Sequence, residues 1–438
     1  MTRRVGMVSL GCSKNTVDSE NMLGLLTEAG YEVVGDERAA DVVVVNTCSF
    51  VGDATQESVR TILELGQDGR RVVVAGCLAQ RHQEELLETM PEISAVIGTG
   101  DFGGIVDVVR RVDEGERFQG VTPVPDARNV LVDLPRRLTG LGPSAYLKIA
   151  EGCDHVCTFC IIPQFRGRYV SREKPSILAE ARRLVAQGVR EIVLIAEDTT
   201  RYGQKETGKF RLPQLLADLD GLDGLAWIRI LYAYPNYMTN ELLEAIRDLP
   251  KVLPYLDVPL QHTHPDMLKA MKRPRHEPPA ELVARMRSIV PEMALRTTFI
   301  TGFPGETEEH AEHVLDFVRQ TRLDHVGAFA YSPEKGTPGA TMKPVVPKRT
   351  RVARQRRIME AQQAISLEHH QALVGRTLDV LVEGLDERRG RWIGRTYRDA
   401  PEIDGLTFVR AERDLEIGSI VPVRVTEAAH YDFHGVAL

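Results

Sequence analysis

Nowhere in its 438 residues does the chain carry a run of about 18 apolar residues, so no membrane-spanning helix is expected. The opening MTRRVGMVSLGC has two arginines but lacks a long apolar segment and a small-residue cleavage site. It reads as a first β-strand rather than a leader, and a cytosolic location is expected. Positive charge is not in excess: 55 Lys and Arg stand against 62 Asp and Glu, net −7. That excludes a surface built throughout to coat nucleic acid, though not a local basic patch. Cysteine is scarce, six in all, and none lies beyond Cys160. In a long cytosolic chain a disulfide framework is a poor reading, and metal binding or redox chemistry a better one. What is plentiful is apolar material, 43% of residues, enough for a soluble protein of two or three domains.

Three β-branched runs open the sequence: VGMVSL (Val5 to Leu10), DVVVVN (Asp41 to Asn46) and RVVVAG (Arg71 to Gly76). Continuous runs of this kind suit strands buried on both faces of a parallel sheet. DSENMLGLLTEAG and ATQESVRTILELG read as the helices between them, so residues 1–114 are expected to form an open α/β domain. Residues 115–143, with VTPVPDARN and TGLGPS, read as a linker. Strands are then expected at YLKIA (146–150), REIVLIA (190–196), WIRILY (227–232), YLDVPL (255–260), LRTTFI (295–300) and VGAFAYS (326–332). Six β/α units in series over residues 144–371 predict a partial (β/α)6 TIM-like barrel with its functional loops at the strand C-terminal ends. A polar helix follows from Pro347, where KRTRVARQRR reads as a solvated basic face. Residues 372–438 switch to short strands and turns, a small all-β barrel of five strands.

Cys12, Cys48 and Cys77 each follow one of the three N-terminal strands. Strand C-terminal ends of a parallel sheet share one edge, so three cysteines far apart in sequence are expected to converge. Packing alone would explain one such residue. Three at equivalent positions, with no fourth cysteine to complete a zinc site, suit an iron–sulfur cluster with an open corner. Cys153, Cys157 and Cys160 form CxxxCxxC directly after the first strand of the second region. One loop with that spacing can wrap three irons of a cubane and leave the fourth for an exogenous ligand. A zinc alternative would recruit His155, which reads as an exposed loop residue in preference to a ligand.

At residues 140–370 the sequence resembles the radical S-adenosylmethionine superfamily, whose defining motif is CxxxCxxC after the first barrel strand. The resemblance implies a 4Fe-4S cluster on Cys153, Cys157 and Cys160, with S-adenosylmethionine chelating the open iron. That arrangement yields a carbon radical by one-electron cleavage of the sulfonium. It also implies cofactor contacts at the rim. IAEDTT (195–200) would offer Glu197 and Asp198 to the methionine amino group, although both could simply cap a helix. ITGFPGET (300–307) would bring the backbone of Gly302 and Gly305 close to the ribose and adenine, although a turn alone explains glycines there. PLQHTH (259–264) and YSPEKGTPGA (331–340) lie on the same rim and are expected to contact substrate or cofactor.

Both cysteine sets together with a C-terminal β module resemble the methylthiotransferases over essentially the whole chain. That family joins a three-cysteine cluster domain, a radical S-adenosylmethionine core and a small barrel called TRAM. The resemblance implies two 4Fe-4S clusters, the auxiliary one on Cys12, Cys48 and Cys77 presenting sulfur. GCSKNTVDSE, GCDHVCTFCIIP and DAPEIDG are similar to the RimO-type branch, which modifies the β-carbon of an aspartate in small-subunit ribosomal protein S twelve. The tRNA adenosine branch would favour GCQMN and CTYCVVP. NTCSF departs from the RimO-type branch, which usually has Gly after that Cys. Residues 372–438 hold nine Arg, no Lys and twelve Asp plus Glu, a slightly acidic balance that suits a basic protein partner better than RNA. A tRNA substrate, or a cluster-bearing ribosome- or RNA-binding protein without turnover, stands as the alternative. The family further implies a flavodoxin- or ferredoxin-type electron donor, and a monomer is expected.

Overall fold

The computed structural model describes residues 3–67, 69–123, 126–140, 142–274 and 276–438. Its first sheet has six parallel strands in the order Glu32–Val33, Arg4–Ser9, Val42–Thr47, Arg71–Gly76, Ile93–Ile97, Phe118–Gly120. All six residues of Val42–Thr47 are buried, and the alternation of a strand divides them between two cores. Val42 and Val44 face Met22 and Leu26 of the helix Ser13–Glu28 and Val109 and Val112 of Ile105–Asp113. Val43 and Val45 face Ile62 of Gly52–Gly66 and Leu78 and Leu86 of Cys77–Thr89. Three strands were expected here and three more join them. Two of the additions are edge strands of two and three residues, too short to carry a period.

One of these edges, Phe118–Gly120, falls in the stretch read as a linker. That stretch is pinned elsewhere too. Arg136, almost fully buried, reaches Glu20 at 2.5 Å and Glu180 at 2.8 Å, and so ties the first domain to the second. Residues 124–125 and 141 of the stretch lie outside the described residues.

The second region is the expected partial barrel. Six parallel strands stand side by side in chain order: Ser144–Lys148, Glu191–Ile195, Trp227–Ile230, Val252–Asp257, Ala294–Thr301 and His325–Ala330. The long helix Lys348–Gln371 packs along the last of them. Its KRTRVARQRR segment is not simply a solvated face. Arg351 donates to the carbonyls of Val346 and Tyr331, Arg354 pairs with Glu306 at 2.7 Å, and both are buried. Lys348, Arg349 and Arg356 are its exposed basic residues. Among the described residues no helix is long and apolar enough to cross a membrane.

The C-terminal strands close into a five-stranded barrel in the order Thr377–Asp386, Arg391–Arg395, Thr407–Arg410, Phe433–Ala437, Ile420–Ala428. One of its loops, residues 396–404, enters the lower end of the partial barrel. Tyr255 donates to Asp404 at 2.7 Å, Arg296 pairs with Asp404 at 2.7 Å, and Arg229 donates to the Tyr397 carbonyl at 2.7 Å. Leu381 and Ala400 complete the apolar filling beside Tyr146, Trp227 and Tyr255. The DAPEIDG string thus forms a stopper in the barrel floor.

Candidate functional site

Register brings the first three cysteines together. Ser9 lies opposite Asn46, and Asn46 opposite Ala75, so the loops after these strands leave one edge of the sheet side by side. Cys12 precedes helix Ser13–Glu28, Cys48 follows its strand directly, and Cys77 begins the helix Cys77–Thr89. The approach is tight. Gly11 has φ +99°, and a Cβ there would lie 3.2 Å from the Cys48 sulfur. A Cβ on Gly76, at φ +91°, would lie 2.3 Å from the Asn46 side chain. Only glycine fits either turn. Asn15 braces the edge, donating to the Leu10 and Thr47 carbonyls at 2.8 and 3.0 Å.

Cys153, Cys157 and Cys160 occupy one loop between Ala150–Glu151 and the short helix Ile162–Arg166. The Cys153 N–H donates to the Gly167 carbonyl and the Cys160 N–H to the Cys157 carbonyl, each at 3.1 Å. His155 does not float on the surface as expected. It is half-buried, its ring stacks on Tyr234 at 4.0 Å, and its Nε2 meets Asp198 at 2.8 Å. It therefore anchors the loop and is not free for zinc. Arg273, missed in the sequence, donates to the Cys157 sulfur at 3.5 Å and to the Pro259 carbonyl at 2.9 Å.

The two triplets face one another across helix Ile162–Arg166. Cys77 packs against Ile161 and Phe165, and Arg166 approaches its sulfur at 3.9 Å. Burial pushes the thiols of Cys48 and Cys153 up, and those of Cys77 and Cys160 up to about 12. Such thiols ionise only against a cation. Among the described residues, the one group of three His, Cys or carboxylate donors within 4.8 Å of each other is His264, Asp266 and His310. Both cysteine triplets are thus wider than a single tetrahedral zinc, whose sulfurs stand about 3.8 Å apart. Three free thiols with no fourth in either set are instead the donor set of a multi-iron cluster with an open corner.

Between the triplets lies a buried charge network. Asp18 pairs with Lys148 at 2.6 Å and Arg166 at 2.7 Å, and Glu151 pairs with the same two cations at 2.6 and 3.3 Å. Burial works against the charge on Asp18, but Lys148 and Arg166 hold its carboxyl low. The four charges balance and lock the two domains together. Glu197 stands outside this quartet. Both its oxygens are buried without a hydrogen-bond partner. Burial, helped by the charge of Glu151, pushes it up to about 7.

Asp198 is fully engaged, holding His155 and accepting from Thr200 at 2.6 Å and the Arg201 N–H at 3.2 Å. Gly302, at φ +73°, makes room for Arg351, whose Cγ would lie 2.2 Å from a Cβ. Gly305, at φ +84°, turns in open space. In PLQHTH, His262 accepts the N–H groups of Thr263 and His264 at 2.9 and 3.0 Å. YSPEKGTPGA acts as a clasp: Glu334 pairs with Arg81 of the first domain at 2.8 Å, and the Gly339 N–H donates to the Thr158 carbonyl at 2.7 Å. Arg166 and Lys14 went unread in the sequence, although one lies six residues after Cys160 and the other two after Cys12.

Three family descriptions match the chain: "Uncharacterized protein family UPF0004" over residues 4–98, "Radical SAM superfamily" over 147–318 and "TRAM domain" over 374–438. The chain is 49% identical to the ribosomal protein uS12 methylthiotransferase RimO of Synechocystis, covering 99% of this chain and 98% of that one. It is 47% identical to the protein of the same name from Thermoanaerobacter, over 99% of both chains. Among solved structures it is similar in fold to TsrM, a radical S-adenosylmethionine methyltransferase from Kitasatospora setae with cobalamin and a 4Fe-4S cluster bound. The TM-score is 0.56 at 16% identity, over 86% of this chain and 79% of that one.

Proposed function

The chain belongs to the RimO family of ribosomal protein uS12 methylthiotransferases, and from that premise we propose that it adds a methylthio group to the β-carbon of an aspartate in uS12. The observation that carries this reading is the pair of cysteine triplets at facing strand ends, separated by one short helix. Cys153, Cys157 and Cys160 would hold one 4Fe-4S cluster, with S-adenosylmethionine bound beside it, and Cys12, Cys48 and Cys77 would hold the auxiliary cluster. Together these groups would supply one-electron activation of an unreactive C–H bond at one centre and sulfur at the other.

The protein's part is placement and exclusion of water. Glu197, a buried carboxylate without a hydrogen-bond partner, would accept the amino group of S-adenosylmethionine. Asp198, Gly302 and Gly305 shape the rim around that molecule: the first holds His155, the second admits Arg351, the third turns the chain. Arg273 donates to Cys157 and fixes the orientation of that ligand. Asp18, Glu151, Lys148 and Arg166 keep the two centres at a constant separation. Electrons come from a flavodoxin or ferredoxin, and the chain acts in the cytoplasm as a monomer with uS12 or the ribosome as its partner.

The test is mass spectrometry of uS12 after incubation with the iron-loaded protein, S-adenosylmethionine and reductant. An added SCH₂ unit on the aspartate is expected. Modification of bare tRNA and not of uS12 would move the substrate to RNA. Iron at about four per chain, where two cubanes hold about eight, would refute the two-cluster scheme.

A further inference from the structure

Lys14 is a buried charge at the junction that the proposed chemistry leaves without a task. It sits in the first turn of helix Ser13–Glu28, two residues after Cys12. Its side chain leaves its own domain and enters the mouth of the barrel. There Nζ donates to the carbonyl of Ala196 at 3.3 Å and lies 3.6 Å from the centre of the Tyr232 ring. The residue is 6% exposed.

The surrounding charges make this position unusual. The four members of the nearby quartet satisfy one another. Among the described residues no carboxylate lies within 4.0 Å of the Lys14 ammonium. An ammonium has three donors, and here one carbonyl and one ring face engage it. Glu197 is a carboxylate whose charge favours the ammonium and whose oxygens are free, and the amino group of S-adenosylmethionine would claim it in the reading above. Cys12 and Glu197 favour the charge from a distance, but a buried cation with no anion in direct contact leaves donors unused, which is costly. It is retained where an anion arrives to meet it, and the place where this one waits is the barrel mouth beside Ala196 and Tyr232, within reach of the Cys12 charge. Any substrate carbon that reacts there from an aspartate β-position carries a carboxylate one bond away.

We infer that Lys14 is the residue that recognises the target side chain: its ammonium takes the aspartate carboxylate, with the Tyr232 ring as the wall against which that side chain lies. This rests on the uS12 reading and sharpens it, because it says how the reacting residue is told from its neutral isostere. Tyr232 is held for the task. Its hydroxyl meets Ser13 at 3.2 Å, and its N–H donates to Asp257 at 3.3 Å. Ser13, Lys14 and Tyr232 thus form one surface built from both domains, and substrate recognition depends on the domains staying docked.

The test compares intact uS12 with its target aspartate unchanged and replaced by asparagine, using wild type, Lys14→Met and Lys14→Arg, each at known iron content. Wild type is expected to prefer the aspartate form by about 10- to 100-fold in kcat/KM, the range of one charge-assisted hydrogen bond. In Lys14→Met that ratio falls toward one, and in Lys14→Arg it is largely kept. A purely structural role for Lys14 would lower activity on both forms alike and leave the ratio unchanged, which overturns the inference. Equal use of both forms by wild type overturns it without any variant, so the test survives a variant that fails to load iron. No SCH₂ on the aspartate form with wild type would instead overturn the uS12 reading itself.

Discussion

Replacing Glu191 by Gln isolates the joint between the barrel and its stopper. Glu191 begins the second barrel strand and lies between Arg229, 2.7 Å away on the next strand, and Arg395, 2.5 Å away on the C-terminal barrel. None of the three side chains is more than 1% exposed. Burial works against the carboxylate, but Arg395 and then Arg229 hold it down to about 2 from an ordinary 4.5. That drop corresponds to roughly 3 kcal/mol of stability at neutral pH. Breaking a buried pair by removing one partner costs about 3–5 kcal/mol, so two independent routes agree. Because the folded value lies below the unfolded one, the contribution is complete above about pH 4.5 and fades as pH falls toward 2. The chain has two tryptophans, and Trp227 packs beside Leu381 and Tyr397 at this joint. Urea unfolding followed by tryptophan fluorescence should show the transition weakened by roughly 3 kcal/mol in Glu191→Gln at pH 7. The gap from wild type should shrink on acidification below pH 4.5. A loss under about 0.5 kcal/mol at pH 7, or a gap that persists undiminished at the lowest pH where both fold, would refute the reasoning.

Cys77→Ala and Cys153→Ala should each load about half the wild-type iron, by iron assay of the reconstituted protein; a complete loss from either would mean that the centres do not assemble independently. Asp257 is pushed up by burial to about 6, above its usual 3.8, so it lowers stability increasingly as pH rises across that interval. Asp257→Asn should therefore gain about 1–3 kcal/mol at pH 8 and nothing at pH 4, measured by thermal melts at both. Gly302→Ala combines φ +73° with a Cβ 2.2 Å from Arg351, whereas Gly305→Ala meets strain at φ +84° in open space. The first should cost at least about 2 kcal/mol and the second about 1, by chemical denaturation; equal costs would deny Arg351 its role.

The parallel sheets were legible because Val42–Thr47 and Arg71–Gly76 are continuous β-branched runs, a pattern that few other environments produce. The convergence of Cys12, Cys48 and Cys77 followed from the same logic: if three neighbouring strands are parallel, their following residues meet. What stayed hidden was whatever depends on side chains crossing between domains. KRTRVARQRR looks uniform as letters, yet Arg351 and Arg354 are core residues because they face carbonyls and Glu306 across a helix packed on a strand. Arg273 reaches Cys157 over more than a hundred positions, and no local period announces that contact. His155 misled for a related reason. A histidine in a polar loop has no sequence mark of burial, and Tyr234 and Asp198 supply it from elsewhere. Asp198 and Gly302 carry the marks of cofactor residues in the sequence, and the fold gives each a partner within the protein: His155 for the acid, Arg351 for the glycine.

The stopper in the barrel floor bears on how the chain comes into being. A ribosome releases the barrel strands first, and they emerge with Tyr146, Arg229, Tyr255 and Arg296 lining an uncorked end. Two of these are guanidinium groups whose partners, the Tyr397 carbonyl and the Asp404 carboxylate, are made more than 100 residues later. Until those residues leave the exit tunnel the two guanidinium groups have only their partners within the barrel, Glu191 and Asp257, and the nascent chain stays an unfinished core. Completion of the last tenth of the protein is therefore what commits the middle half to its final shape. A chain cut short before Asp404 is a client for chaperones and proteases, and not a smaller enzyme.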